Sequence, residues 1–427
     1  MQKLSLTNKY TPYSNYKRSQ VEWIAQIPEG WEIKKIRRMF QIKKRIAGKL
    51  DIDVLSITQK GIKVKNTKDN EGQLSADYSK YQLVEKGDFA MNHMDLLTGY
   101  VDISKYDGVT SPDYRVFTRR ESSTFDRYFL YLFQMGYHQK LFYPFGRGAA
   151  QLGRWRFPAG EFNNFFLPVP PKDEQEKIAQ FLDEQTIRID ETIAKKQKLI
   201  ELLKEKRTAV INHAVTKGLD PKAELVDSGI EWIGKIPRNW RLEKLKYLAP
   251  LVILKTTIEN ATSDYIALEN AEGKTGRYLP SPELVNPDSI VTVFGKGDVL
   301  FSKLRPYLAK VLTPGFDGFA TGEFLVLRPK KIVVQGYLKY RLLSQDFITI
   351  VNDSTYGAQM PRASWNFIGS QFITLPPTEE QEKIVLYLDG VIDEFQSFLD
   401  KVQKSVTLLQ ELKSSLISHA VTGKIKV

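Results

Sequence analysis

Several acidic and basic residues in this chain are spaced as hydrolases, phosphate binders and methyl-transfer enzymes space theirs, and each pattern can be held against its chemistry. Asp264 with Glu272 and Lys274 imitates the Asp…Glu-x-Lys set that holds a metal in nucleases, but the matching stretch of an internal repeat has no such acids. Gly273-Lys274-Thr275 looks like the close of a phosphate loop, yet five residues before Gly273 stands Leu268 where that loop needs glycine. "NPDS" at 286–289 lacks the second proline of the Asn/Asp-Pro-Pro-aromatic loop that surrounds a flipped base in amino-methyltransferases. "FGKG" at 294–297 has the counterpart "VEKG" at 84–87, so a strand and turn explain it better than a cofactor loop. The 4 histidines form no metal-ligand spacing, and with 0 cysteines there is no thiolate site. His213 and His419 are one helix-end position occurring twice. The expectation is a chain without catalysis, cofactor or metal of its own.

What remains is a set of cationic and amide side chains suited to polyanions and base edges. "FSKLRPYLAK" at 301–310 supplies Lys303, Arg305 and Lys310 just after a Gly-Asp turn. The aligned first-half stretch, "MNHMDLLTGY", supplies Asn92, His93 and Asp95 instead. "GRGAAQLGRWR" carries Arg147, Gln151, Arg154 and Arg156, and its counterpart carries Gln359 and Arg362. Gln and Arg are the side chains best shaped for bidentate contacts to adenine and guanine, whereas phosphate contacts carry no sequence information. The recurring Gly-Ala-Gln serves equally well as a structural turn. The run Lys34, Lys35, Arg37, Arg38, Lys43, Lys44 and Arg45 reads as a solvated or phosphate-facing surface, and the pairs Trp23/Trp31 and Trp232/Trp240 as core or interface anchors.

Composition sets the frame for these residues. A chain of 427 residues, 42% hydrophobic and 26% charged, is globular and long enough for two or three domains. The N-terminal stretch lacks the apolar core of a secretory signal, and no apolar run approaches the ~20 residues of a membrane span. A cytoplasmic protein with no membrane partner is expected. The net charge is +12, unevenly placed. Segments 172–217 and 376–427 together carry 16 positive against 17 negative residues, and the rest of the chain 46 against 33. Basicity confined to part of a chain is the footprint expected for a polyanion partner, although solubility alone also favours a charged surface.

Those two near-neutral segments are copies of each other. Residues 170–216 align with 376–422 without a gap, and 20 of 47 positions are identical, from Pro-Pro at 170 and 376 to the closing "HAVT" at 213 and 419. Upstream, "SQVEWIAQIPEGW" at 19–31 matches "SGIEWIGKIPRNW" at 228–240, with weaker matches between. The chain is thus a tandem duplication, each half a basic domain followed by a helix. Pro-Pro suits a helix start, Asp173, Glu174, Glu379 and Glu380 favour its positive end, and Thr378 with Gln381 reads as a capping box. A heptad-like seam runs through Leu182, Ile189, Ile193, Ile200, Leu203 and Val210, and through Leu388, Phe395, Leu399, Val406, Leu409 and Leu416. A base interrupts it at the same place in both copies, Arg207 and Lys413. Antiparallel pairing of the two helices is expected, about 45 residues at 1.5 Å rise giving roughly 67 Å. The basic domains read as mixed α/β, with strands in "DVLSIT", "SIVTVF" and "FLVLRP" and helices over 126–138 and 335–350.

The ordered set W-I-x-x-I-P-x-x-W, Gly-Asp, Gly-Ala-(Ala)-Gln and P-P-x-x-E-Q-E-K-I occurs twice and covers nearly the whole chain. It resembles the specificity subunit of type I restriction–modification enzymes, which take part in phage defence. The resemblance implies a mixed α/β tandem repeat with pseudo-twofold symmetry. Target-recognition domains over 1–170 and 218–375 would be separated by antiparallel coiled-coil spacer helices over 171–217 and 376–427. It implies that each domain reads one half of a bipartite site on double-stranded DNA. Two modification methyltransferase subunits, using S-adenosylmethionine, would dock on the chain, together with restriction/translocase subunits that use ATP and Mg. The chain itself would be non-catalytic. The rival expectation is a coiled-coil scaffold without DNA specificity.

Overall fold

In the computed structural model, which describes residues 10–50, 52–66, 78–148, 155–257, 264–281 and 290–427, both Pro-Pro pairs open a long helix. The first spans Lys172–Lys217 and the second Thr378–Val421. Each is fed by a short strand ending at the prolines, Phe166–Val169 and Phe372–Leu375. Those strands pair antiparallel with Glu32–Lys35 and Arg241–Lys244 respectively. Proline cannot continue a ladder but suits a helix's first turn, so strand-to-helix conversion falls there in both copies. Just past the first helix, Gly218 adopts φ +78°, and after the second, Gly423 adopts φ +72°, where a side chain would also press on Pro28. Glycine is what lets the chain turn off the helix there.

The chain divides into two compact units, Met1–Lys195 with Lys404–Val427, and Lys196–Gln403. Each unit therefore holds the head of one long helix and the tail of the other. In the first unit, Ile178, Ala179 and Leu182 share a core with Leu416, Ala420, Val421 and Ile425. A four-stranded antiparallel sheet runs in the order Phe40–Lys43, Arg115–Arg119, Phe89–Met91, Val101–Ile103. Its centre is a packed aromatic set of Phe40, Phe89, Phe117 and Phe133, with ring centroids 5.0–5.8 Å apart. The helix Asp126–His138 buries nearly all of its faces against this sheet and the long helices.

The second unit repeats the plan with a different sheet layout. Val311–Leu312, Val299–Ser302 and Phe324–Leu327 form three antiparallel strands. Lys255–Thr256, Val291–Phe294, Gly318–Ala320 and Tyr265–Ile266 form a second sheet, whose last pair is parallel. The helical stretch expected over 335–350 is two helices, Gln335–Leu343 and Gln345–Asp353. The break is at buried Ser344, which is extended, donates its hydroxyl to the Arg341 carbonyl and receives the Arg341 guanidinium. A serine whose hydroxyl satisfies the last turn of one helix, and whose extended backbone separates it from the next, makes two short helices from one apolar pattern.

The recurring residues become a recurring set of bonds. Trp31 Nε1 donates to Glu174 and Trp240 Nε1 to Glu380, each at 3.0 Å. Gln175 accepts the Phe125 N–H at 2.8 Å and donates to the Pro170 carbonyl at 2.9 Å. Gln381 does the same with Val334 N–H, 2.8 Å, and Pro376 carbonyl, 2.9 Å, and also donates to Ile332. The capping box expected between Thr378 and Gln381 is thus replaced: the amide is buried and turns to the N-terminus of the neighbouring helix. The tails are held as well. Tyr128 donates to the Val421 carbonyl at 3.0 Å, while Thr374 donates to the Val215 carbonyl at 2.7 Å with Tyr337 beside it. The "HAVT" ends are therefore docking sequences.

The paired helix segments run antiparallel within each unit. In the first, Lys413 meets Asp190 at 2.7 Å. In the second, Ile200 and Leu203 pack with Leu399 and Val402, and Arg207 faces Gln396. Of the seam residues, Leu182, Ile200, Leu388, Leu399, Val406 and Leu416 are buried, and Ile189, Ile193, Leu203, Val210, Phe395 and Leu409 are half-buried.

Removing the buried amide should expose how much rests on it. Gln381→Ala leaves the Val334 N–H and two carbonyls without partners, so urea denaturation should show a loss of about 2–4 kcal/mol. The exposed neighbour substitution Glu382→Ala should change stability by less than about 0.5 kcal/mol.

Candidate nucleic-acid interface

In both units the candidate residues gather where two loops meet. In the first, Asn92 follows the strand Phe89–Met91, its N–H donating to Tyr100 at 2.9 Å and its carbonyl accepting the Tyr137 hydroxyl at 2.6 Å. Its side-chain oxygen accepts the Met94 N–H at 3.2 Å. The His93 carbonyl takes the Phe157 N–H at 2.8 Å, and Leu96 N–H donates to Trp155 at 3.1 Å. Arg147 and Arg156 exchange both backbone hydrogen bonds, at 2.8 and 2.9 Å, as an antiparallel bridge. Both side chains are exposed, and Arg147 reaches Glu161 at 3.1 Å. Gln151 and Arg154 lie outside the described residues.

The second unit builds the same junction. Tyr356 and Arg362 exchange backbone hydrogen bonds, at 3.1 and 3.0 Å, below the loop Gly357–Pro361. The partner loop sits against it: Ala363 N–H donates to Lys303 at 3.0 Å and Arg305 N–H to Pro361 at 2.8 Å. Arg305 takes the left-handed conformation, φ +47°, and its exposed guanidinium reaches back to the Gln359 carbonyl at 3.4 Å. A non-glycine residue held there is a strained feature maintained by its surroundings. Gln359 is exposed and Lys303 half-exposed. Arg362 instead holds Glu323 through two nitrogens, at 2.9 and 3.2 Å, and Lys310 donates to the Leu268 carbonyl at 2.6 Å. Those two cations brace the junction, leaving Lys303, Arg305 and Gln359 on its open side.

The two junctions differ in charge. Burial, followed by the nearby positive charges of Arg115 and Arg156, pushes the His93 pKa down to about 3, so its ring is neutral at physiological pH. Beneath it lies Arg115, a residue that the sequence reading passed over. It is 5% exposed, donates to the Phe157 carbonyl at 2.7 Å, and lies over the Phe162 ring at 4.6 Å. Burial pulls its pKa down to about 10, which leaves it charged at pH 7. A single Arg in "DYRVF", between inward-facing strand residues, was the available signal. Glu323, the carboxylate that engages Arg362, was likewise missed. The first junction thus presents neutral Asn92 and His93 beside two exposed arginines, and the second an exposed Arg, Lys and Gln.

Other expected features resolve as structure. The Gly-Asp pairs are turns: Asp88 accepts the Glu85 N–H and Asp298 the Gly295 N–H, each at 2.8 Å, and each pairs with an arginine. Trp31 is fully buried and Trp240 is 5% exposed, while Trp23 stacks on Phe165 and Trp232 lies against Phe347. Among the described residues no group of three or more His, Asp or Glu is placed to hold a metal ion. No helix among them is long and apolar enough to cross a membrane.

Comparison with known proteins gives this architecture its relatives. Residues 28–203 match the family described as the type I restriction modification DNA specificity domain. The chain is 21% identical to the type I restriction enzyme EcoDI specificity subunit of Escherichia coli, over 62% of its own length and 64% of that protein's. It is 22% identical to the type I restriction enzyme MjaIX specificity subunit of Methanocaldococcus jannaschii, over 95% of both chains. A solved chain from a study of complex assembly and conformational transition of the type I R-M system superposes with a TM-score of 0.70 at 15% identity, covering 93% of this chain and 99% of its own. The HsdS subunit from Thermoanaerobacter tengcongensis does so with 0.53 at 15% identity, covering 93% and 98%. Residues 28–203 thus resemble the type I restriction modification DNA specificity domain, and the chain is similar to type I restriction enzyme specificity subunits along nearly its whole length.

Proposed function

We propose that this chain is the non-catalytic DNA-recognition subunit of a type I restriction–modification complex, reading a bipartite duplex target with one junction per half-site. The observation that carries the reading is the duplicated junction: in each, a two-way backbone bridge is followed by an N–H that donates to the facing loop, Phe157 to His93 and Ala363 to Lys303, yet the side chains presented differ, Asn92 and His93 in one and Lys303 and Arg305 in the other. Phosphate clamps would be expected to recur between copies, whereas residues that read different bases would diverge. The paired helices act as the spacer between half-sites, at most about 20 bp for a 67 Å rod at roughly 3.4 Å per base pair. Two methyltransferase subunits, which bring S-adenosylmethionine, and the ATP- and Mg-dependent restriction subunits dock on this scaffold in the cytoplasm.

The decisive experiment is selection of binding sites from random duplex DNA by the purified chain, alone and with its methyltransferase partner, across a salt series. Two short motifs at constant separation are expected, with affinity falling roughly 10³-fold or more between 50 and 200 mM salt. A single motif, or binding indifferent to salt, would remove the reading.

Three further outcomes follow. Arg305→Ala should cost about 1–3 kcal/mol in binding and relax preference in one half-site only. Inserting one heptad into both long helices should lengthen the gap by roughly 10 Å, about 3 bp, and leave both half-sites unchanged. Because His93 stays neutral above about pH 3, His93 adds no positive charge to the interface between pH 5.5 and 7.5. Affinity of the wild-type chain and of His93→Gln should therefore run parallel across that range, and a steeper gain for wild type at low pH would show a protonating His93.

A further inference from the structure

The bases that interrupt the helix seam, Lys413 and Arg207, are equivalent in the repeat but differently served. Lys413 meets the carboxylate of Asp190 at 2.8 and 2.7 Å. The residue equivalent to Asp190 in the other copy is Gln396, an amide. Arg207 reaches that amide oxygen only at 3.5 Å, the limit of a hydrogen bond. No carboxylate lies within ion-pair distance of Arg207 among the described residues, although the side chain is 5% exposed and its Nε has no partner. Glu272 offsets the charge of Arg207 through space, but burial outweighs it and pulls the Arg207 pKa down. A buried cation without a direct ion pair is costly, and an apolar residue in the seam would avoid that cost.

Arg207 lines a cleft of about 870 Å³ within the second unit, between the helix segments and the loop at 272–275. That is the size range of small-ligand sites. Asn212, in the same wall, has a buried side-chain oxygen without a partner. The remaining charges along the wall are Glu201, Glu205, Glu272 and Asp400 against Lys204 and Lys274. This net-negative rim repels a polyanion such as DNA while leaving one cation at the floor to be neutralised.

We infer that this cleft is a binding site for a single carboxylate, which completes at Arg207 the ion pair that Asp190 completes at Lys413. The carboxylate comes either from a small organic acid or from an acidic side chain of a docked protein segment. The twin position supplies the expected geometry, and the rim disfavours a multiply charged phosphate chain more than a single carboxylate, whose binding rests on the direct pair with Arg207.

The test follows the Arg207 Nε–H resonance in the full-length chain while acetate, or separately a terminally capped peptide carrying a single glutamate, is titrated at constant ionic strength against chloride. A saturable shift with acetate identifies a free-acid site, and one with the peptide alone identifies a protein-borne carboxylate. Gln396→Asp, which rebuilds the internal pair of the other unit, should abolish the response and raise the melting midpoint by about 2–4 °C. Arg207→Met, which keeps the seam apolar and the fold intact, should remove any probe-induced rise in that midpoint. No shift with either probe, or an undiminished response in Gln396→Asp, overturns the proposal.

Discussion

A helix of about 45 residues, some 67 Å long, cannot bury its far end in the domain that starts it. That constraint organises this chain. The first long helix begins under Trp31 and Gln175, and its end is held by Thr374 and Tyr337. The second begins under Trp240 and Gln381 and ends on Tyr128. Each core is therefore incomplete without a segment from the other half of the sequence, which is why compact units cut across the sequence repeat.

The helix seam has a different energetic character from its ends. Its ends sit in large aromatic cores, whereas its middle relies on small clusters such as Ile200, Leu399 and Val402 with exposed charges around them. A polar residue in such a seam fixes register at some cost in stability. Lys413 with Asp190 fits that role, since sliding the helices would separate the pair. Arg207 opposite Gln396 lacks the same compensation, and the near-repeat makes the lack visible.

How much of this was legible beforehand differs by residue. The duplication, both long helices, the strands near 55, 291 and 324 and the helix Asp126–His138 follow from periodicity and Pro-Pro punctuation, which are local signals. The inward turn of Gln381 was not legible, because Val334, distant in the chain, draws it away from Thr378. The break at Ser344 is local but rests on the buried Arg341 guanidinium turning onto Ser344 and Asp346, which periodicity does not reveal. The meeting of 92–96 with 155–157, and of 303–305 with 359–363, was likewise hidden, since about 60 residues separate the members. Sequence chemistry proposed cations of one kind. The fold divides them, giving Arg362 and Lys310 half-buried protein acceptors, Glu323 and the Leu268 carbonyl, and leaving Arg305 exposed.

That division bears on how such a protein can change what it reads. Residues shared by both copies, the glutamine, tryptophan, glutamate and tyrosine set, are the ones with buried partners, so substitution there leaves donors or acceptors unsatisfied at about 1–3 kcal/mol each. The residues that differ between copies, Asn92 and His93 against Lys303 and Arg305, stand on loops whose backbones are held by main-chain bonds to a second loop. Main-chain bonds are indifferent to side-chain identity, so a new side chain there alters the presented surface while the frame stays satisfied. Exposed positions away from buried networks generally tolerate substitution within about 0.5 kcal/mol. Arg305 departs from this rule, because its left-handed backbone restricts the position to residues that accept φ +47°. Variation at the second junction is therefore freer at Lys303 and Gln359 than at Arg305, where glycine, asparagine or aspartate are the low-strain replacements and none of them supplies a cation.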